Sequence, residues 1–398
     1  MMRILIIFIC LQINVVHTFS ILTTMKKNIQ LLAIVFFLMV IWACQEKKEK
    51  FGTIDLDQTN KTEVLKFSQL ADNIRYIPLE TSPDFILSDN NIRLWVSDKY
   101  IIILSNKDIR QFTPEGKFIR KLASSGKGPD EYISIISYTV DEQNDILYYG
   151  HEGDSKSICA INLRNESPVN KINTGCLPWE MCIVDGNILC LPMKYSSEKK
   201  LNIFRMTPSG KITDSIPAPP SDKKDVSTTL LPGKGENRYT LYNDTIFRLD
   251  FPTPTAIAAI RLSDLLTRGS MSGSMYWIVL KNPDHFVIRK EKVEMSRTSQ
   301  GSINSKITES AILLVDAHTW QTSRADKFNL DILDREYSGL PDLKVSGRKI
   351  FCTMSAFEIK NLAKEQREAG KTLSPALQQL DEQLTEESNP VIIVGDLK

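Results

Sequence analysis

The residue types that could do chemistry are scattered along this 398-residue chain. Its four histidines stand at positions 17, 151, 285 and 318. His151-Glu152 lacks the second histidine of H-E-x-x-H, and there is no G-x-S-x-G elbow to present a nucleophile. Gly126-Lys127-Gly128 and Gly233-Lys234-Gly235 suggest phosphate loops, but a P-loop needs G-x-x-x-x-G-K-[ST] between a strand and a helix. Gly370-Lys371-Thr372 has that ending, yet Glu365 stands where the first glycine belongs. All three therefore read as turns or element ends, and no catalytic residue is assigned. Oxygen ligands are abundant, with 48 Asp and Glu, but calcium needs ~6–8 oxygens converging from separate loops. No metal ligand set and no cofactor follow, with calcium left open. Aromatic side chains are more suggestive. Tyr132, Trp179 and Trp277 fall near the ends of expected strands, and a ring with a polar handle suits a sugar or a peptide. Asp130, Glu131, Tyr132 and Trp179 are the candidate binding residues; the alternative is that the rings pack between sheets.

Cysteine usage sets Cys10 and Cys44 apart near the N-terminus, leaving Cys159, Cys176, Cys182, Cys190 and Cys352. Five is not a disulfide framework, and no pair has C-x-x-C spacing. The segment Cys182-Ile-Val-Asp-Gly-Asn-Ile-Leu-Cys190 reads as a hairpin. A three-residue loop at Asp185-Gly186-Asn187 would set the two cysteines opposite each other, either bonded or as two buried thiols.

Lys26-Lys27 precedes thirteen consecutive apolar residues, Leu31 to Ala43. That is the length of a signal-peptide core and short of the ~20 residues of a spanning helix. Ala43 supplies the small residue before a cut, and Cys44 follows it. The stretch resembles the lipobox of bacterial lipoproteins, which implies acylation of Cys44 as the new amino terminus. Residues 1–43 form the signal region, with Met25 the expected true start, and residues 44–51 a polar tether. Gln45 is not aspartate, so by the same resemblance the anchor lies in the outer membrane, facing the periplasm or the outside. A balance of 49 basic and 48 acidic residues argues against nucleic acid, which calls for a basic patch or stripe.

From residue 52 the pattern is of short apolar runs separated by turns, as in sandwiches, barrels and propellers. Tyr100 to Leu104, Asp108 to Phe112 and Lys117 to Leu122 are expected strands, the last two joined by Thr113-Pro114-Glu115-Gly116. The same device returns at Thr207-Pro208-Ser209-Gly210, 94 residues on. That is twice 47, near the blade period of propellers, and Asn165-Glu166-Ser167-Pro168 marks a turn close to the midpoint. Arg238 to Tyr242, Thr245 to Leu249, Tyr276 to Leu280, His285 to Arg289 and Ile312 to Val315 continue the series. Helical signals come late, over about 355–386. Ser355-Ala-Phe-Glu358 is a capping box, Ser374-Pro375 a second start, and Asn389-Pro390 a stop before the strand Val391 to Val394.

Five landmarks occur in order: Ile77-Pro78-Leu79-Glu80-Thr81, Gly116-Lys117-Phe118-Ile119, Gly126-Lys127-Gly128-Pro129-Asp130-Glu131-Tyr132, Asn243-Asp244-Thr245-Ile246-Phe247 and Asn389-Pro390-Val391. On these, residues 52–398 resemble the six-bladed β-propeller lipoproteins of Bacteroidetes, whose blades are NHL-like. The family usually has glycine where Asp130 stands, and 265–310 matches weakly. The resemblance implies an all-β, six-bladed β-propeller with a short helical insertion near the C-terminus. It also implies an exported binding or scaffold module for a glycan, peptide or partner protein, more in keeping with a binder than an enzyme. The alternative is a calcium-dependent, lactonase-like hydrolase using the central channel. A propeller must join its ends, so Val391 to Val394 is expected to pair with a strand near the N-terminus, around Gly52 to Leu56.

Overall fold

The computed structural model describes residues 51–58, 60–82, 86–87, 92–128, 130–165, 169–193, 201–217, 228–231, 239–242, 244–266, 270–297 and 303–398. The signal region, Cys44, Gly233-Lys234-Gly235, Asn243 and the turn at 166–168 lie outside them. Residues 51–398 form one compact unit.

Strands organise into six sheets. Sheet I comprises Arg93–Val96, Ile101–Leu104, Asp108–Phe112 and Phe118–Ser124, antiparallel and in chain order. Sheet II repeats the plan with Ile135–Asp141, Ile146–His151, Ser157–Asn162 and Asn170–Asn173. Sheet III has Pro178–Val184, Asn187–Pro192, Leu201–Met206 and Ile212–Pro217. Sheet IV runs through Thr228–Leu231, Tyr239–Tyr242, Thr245–Arg248 and Thr255–Arg261, and Gly52–Asp55 adds in parallel on the last of these. In sheet V, Ser272–Lys281, His285–Arg297, Ile303–Asp316 and Thr322–Leu330 are extended by Asn60–Lys66, again parallel. Arg335–Ser338 pairs with Thr322–Leu330 as well. Sheet VI orders Lys344–Ser346, Lys349–Met354, Val391–Leu397 and Ala71–Pro78.

The C-terminal strand does join an N-terminal one, but its partner is Ala71–Pro78 and not Gly52 to Leu56. Val391 faces Pro78 and Ile393 faces Tyr76, whereas Gly52 faces Ala258 in sheet IV. Charge and turn signals between residues 56 and 71 are weak, so the three successive N-terminal strands could not be told apart by pattern.

Inner strands are unbroken apolar runs because both faces are covered. Ile101–Leu104 is buried at all four positions, and Val391 to Val394 likewise. Six apolar clusters lie between neighbouring sheets. Ile102 of sheet I packs with Tyr149 of sheet II, and Ile158 of sheet II with Phe204 of sheet III. Leu189 and Ile203 of sheet III meet Leu230 of sheet IV; Tyr239 of sheet IV meets Phe286 of sheet V. Phe328 of sheet V packs with Ile350 and Ile393 of sheet VI. The sixth cluster joins sheet VI to sheet I, through Phe351, Ile392 and Val394 against Ile101, Ile103 and Phe112.

The helices are Ala356–Glu368 and Pro375–Gln383, between the second and third strands of sheet VI. Ser355 and Glu358 form the reciprocal capping box, and the Ser374 hydroxyl accepts from the Leu377 amide at 3.2 Å. Ile359, Leu362, Leu377 and Leu380 bury one side of the pair on the sheet V–VI cluster. One further helical turn, Phe67–Leu70, has no sequence signature of its own.

The Cys182 hairpin has a two-residue turn. Asp185 and Gly186 both take positive φ, 49° and 69°, as a tight hairpin turn requires. Val184 then pairs with Asn187, Cys182 with Leu189 and Met181 with Cys190. One residue of register moves a side chain to the other face, so Cys182 and Cys190 are not cross-strand partners. None of the five cysteines of residues 51–398 is in a disulfide.

Candidate binding cavity

The strand at one edge of sheets I, II, III, IV and VI contributes to a single cavity of about 790 Å³. In sheets IV and VI it is the edge opposite the N-terminal strand. Short hydrogen bonds fix these strands to one another. The Tyr138 hydroxyl of sheet II donates to the Leu94 carbonyl of sheet I at 3.0 Å, and burial pushes that phenol up to about 12. Ser137 donates to the Pro178 carbonyl of sheet III at 2.7 Å. The Glu180 carboxylate accepts from the Leu230 amide of sheet IV at 2.5 Å.

Two tryptophans border this space. Trp95 is half-buried and its indole N–H donates to Glu142 Oε1 at 3.0 Å. Trp179 is 50% exposed, a large ring held open at the cavity wall. Burial raises the Glu142 carboxyl above its ordinary value, against the Trp95 hydrogen bond that lowers it. Thr139 also lines the cavity; it is 1% exposed and its hydroxyl has no hydrogen-bond partner. A buried polar atom without a partner costs ~1–3 kcal/mol.

Of the four candidate binding residues, only Trp179 lines the cavity. Asp130 is exposed. Glu131 braces its own loop: its carboxylate accepts from the Gly128 amide at 2.7 Å, and the Gly126 amide donates to the Tyr132 carbonyl at 2.9 Å. A Cβ on Gly126 would stand 1.9 Å from Glu131 Oε2, which explains the glycine. Tyr132 is fully buried, donates to the Ser105 carbonyl at 2.8 Å and packs edge-on against Tyr149. The glycine-rich landmark is thus a loop brace and core plug between sheets I and II. Trp277 is 42% exposed in sheet V and does not line the cavity.

Sequence reading missed Trp95, Thr139, Glu142 and Glu180. Their one signal was position, since each falls in or next to the first strand of a four-strand set. The histidines do not converge: His151 is buried in sheet II, while His285 and His318 lie in and beside sheet V. Among the described residues no three His, Cys, Asp or Glu side chains gather as a metal ion would need, and no helix is long and apolar enough to cross a membrane.

A family model described as a domain of unknown function, DUF4934, matches residues 51–396. No curated protein matches the chain. A crystal structure of an inferred exported protein from Bacteroides fragilis is similar at TM-score 0.55 and 15% identity, covering 87% of this chain and all of that one. A member of the DUF4221 family from Bacteroides vulgatus reaches TM-score 0.49 at 10% identity, covering 85% of this chain and all of that one. The first likeness is one of fold.

Proposed function

The chain belongs to the DUF4934 family, and from there we propose that it is an exported, lipid-anchored six-bladed β-propeller that binds a ligand in the cavity at its axis. Support for the propeller is the chain of six inter-sheet clusters, the last of which returns from sheet VI to sheet I. Edge strands of five sheets meeting round one cavity fit the same arrangement. Support for export and anchoring is the apolar run Leu31 to Ala43 ahead of Cys44. Intact-mass measurement on protein extracted from membranes reads this directly: an amino terminus upstream of Cys44 removes the anchor.

The observation that carries the binding role is the cavity itself. Its volume falls within the ~300–1,000 Å³ of small-molecule sites, and Trp179 offers a solvent-accessible ring on its wall. Among the described lining residues there is no histidine to act as a base for a nucleophile, and binding is the reading preferred here. Glycan, peptide and the tip of a partner protein are the candidate occupants. Tryptophan fluorescence against a panel of oligosaccharides and short peptides tests the reading. A ligand should quench the native protein, and Trp179→Ala should weaken it about tenfold, as loss of an aromatic anchor does. Binding that Trp179→Ala leaves untouched places the site elsewhere.

A further inference from the structure

We propose that sheet V carries a docking arm for a second copy of this chain, and that two such arms pack apolar face to apolar face about a two-fold axis. The inference is independent of the cavity.

The arm is the part of sheet V that outruns its neighbours. His285–Arg297 and Ile303–Asp316 pair along their whole length, from His285 with Asp316 to Arg297 with Ile303. On the far side of Ile303–Asp316, Thr322–Leu330 pairs only with Ile312 to Val315. The first seven residues, Ile303 to Glu309, extend past that pairing and are all exposed. Side chains alternate across a strand, so the register assigns each residue to a face. One face of the arm is polar and neutralises itself: Lys292 stands opposite Glu309, and Glu294 opposite Lys306. The other face carries Trp277 on the first strand, Val293 and Met295 on the second, and Ile303 and Ile307 on the third. Ile303 is 62% exposed and Ile307 55%. An open apolar face rimmed by polar groups marks an interaction surface.

Two charges on that face identify the occupant. Glu291 and Arg297 lie on the same strand and the same side as Val293 and Met295. Among the described residues neither has an ion-pair partner. They are six residues apart, with Glu294 midway. A two-fold axis that crosses the strand at Glu294, between two facing arms, lays Glu291 over the Arg297 of the second copy and Arg297 over its Glu291. Val293 then lies over the second copy's Met295. A closed two-fold interface has to be self-complementary in this way, and facing sheets interdigitate at ~10 Å separation. The antiparallel overlap sends the two bodies in opposite directions, so only the arms meet. A face seven residues long and three strands wide presents roughly 300 Å² by strand spacings, below the ~800 Å² per partner of a standard interface. The dimer is therefore weak and reversible.

Sedimentation velocity on residues 44–398, from about 1 to about 300 µM, should show a monomer that passes into a dimer. Ile307→Lys puts a charge on the apolar face and should abolish the dimer. Ile307 is open to solvent in the single copy, so melting at low concentration should stay within about 2 °C of the parent. Glu291→Arg sets arginine over arginine, and Arg297→Glu sets glutamate over glutamate. Each alone should weaken self-association at least about tenfold. Mixed in equal amounts, the two variants regain opposite charges at both contacts, and a heterodimer as tight as the parent dimer should form. A parent protein still monomeric at about 300 µM, or a dimer that Ile307→Lys leaves intact, overturns the docking role of the arm. A dimer that the charge variants do not weaken, or that their mixture does not restore, overturns the two-fold pairing.

Discussion

Sheets I to III and sheets IV to VI are built by different rules. Each of the first three takes four strands from one unbroken stretch of chain, 93–124, 135–173 and 178–217. Each of the last three receives a strand from residues 52–78, laid in turn on sheets IV, V and VI. Local sheets need only short loop closures; the others wait for pairings between residues up to 326 positions apart, as Leu397 waits for Ala71. The first half supplies most of the cavity wall, including Trp95, Thr139 and Trp179. The second half supplies the fastening. The cavity wall and the join between sheets VI and I are therefore separable by mutation.

The largest effect should come from cutting the fastening. Deleting residues 390–398 removes Val391, Ile392, Ile393 and Val394, all buried. At ~1.5–3 kcal/mol for each buried side chain, that approaches the whole ~5–15 kcal/mol stability of a domain. It also bares the edges of Lys349–Met354 and Ala71–Pro78, which invites aggregation. Insoluble protein, or a melting temperature lowered by more than about 10 °C, is expected on thermal melting. A truncated chain that melts like the parent would show that sheets I to V hold without the join.

A smaller and sharper test compares two glycines. Gly116, in sheet I, has φ 85°, and a Cβ there would stand 2.4 Å from the Pro78 carbonyl oxygen of the N-terminal strand. Gly186, in sheet III, has φ 69° and nothing within 4 Å. Gly186→Ala should cost only the left-handed backbone strain, about 1 kcal/mol. Gly116→Ala adds the collision with backbone and should cost about 3 kcal/mol or more. Chemical denaturation of both variants measures the difference. Equal costs would mean that the sheet I turn does not bear on the closing strand.

Legibility follows another line, between local signals and distant pairing. Strands were readable in both halves, Ile101–Leu104 and Tyr239–Tyr242 alike, and some turns carry their own chemistry. Thr113-Pro114-Glu115-Gly116 and Thr207-Pro208-Ser209-Gly210 each seat a positive-φ glycine against the outer strand of another sheet, at Pro78 and at Asn173. The capping box at Ser355 and the N-cap at Ser374 were readable for the same local reason. What could not be read was pairing at a distance. Nothing between residues 52 and 78 states that Gly52 belongs with Ala258 and Tyr76 with Ile393. Nor does the repeat announce how long the strands of sheet V are: His285–Arg297 and Ile303–Asp316 run to 13 and 14 residues. The site was legible at Trp179 alone. Tyr132 looked equally suited to a ligand, and only the packing against Tyr149 distinguishes a core ring from an open one. Landmark motifs proved to be joints: Asn389 accepts from the Leu87 amide and donates to the Glu80 carbonyl, both at 2.7 Å, bringing the first and last landmarks together.

The smallest expected effect concerns the charges at that join. Lys349 of sheet VI reaches Asp396 on the neighbouring strand and Asp98 beside sheet I. The Lys349 bond holds the Asp396 carboxyl below its ordinary 3.8, helped by the Asn73 amide at 2.8 Å. Burial works against the Lys349 charge, but its two carboxylate partners outweigh that and raise its pKa. A lowered acid stabilises the fold above its ordinary value, and that contribution is lost as pH falls through the folded value. A raised base stabilises below its ordinary 10.5, and its share is lost only as pH climbs past the higher folded value. The pair should thus hold from mildly acidic to strongly alkaline pH. Asp396 is 38% exposed at the side chain, so water screens much of the gain. Asp396→Asn should melt slightly below the native protein at pH 7, and the two curves should converge as pH drops below the folded value. A gap that stays constant down to pH 2 would assign the loss to packing, and the join would then owe its strength to Phe351, Ile392 and Val394 without help from charge.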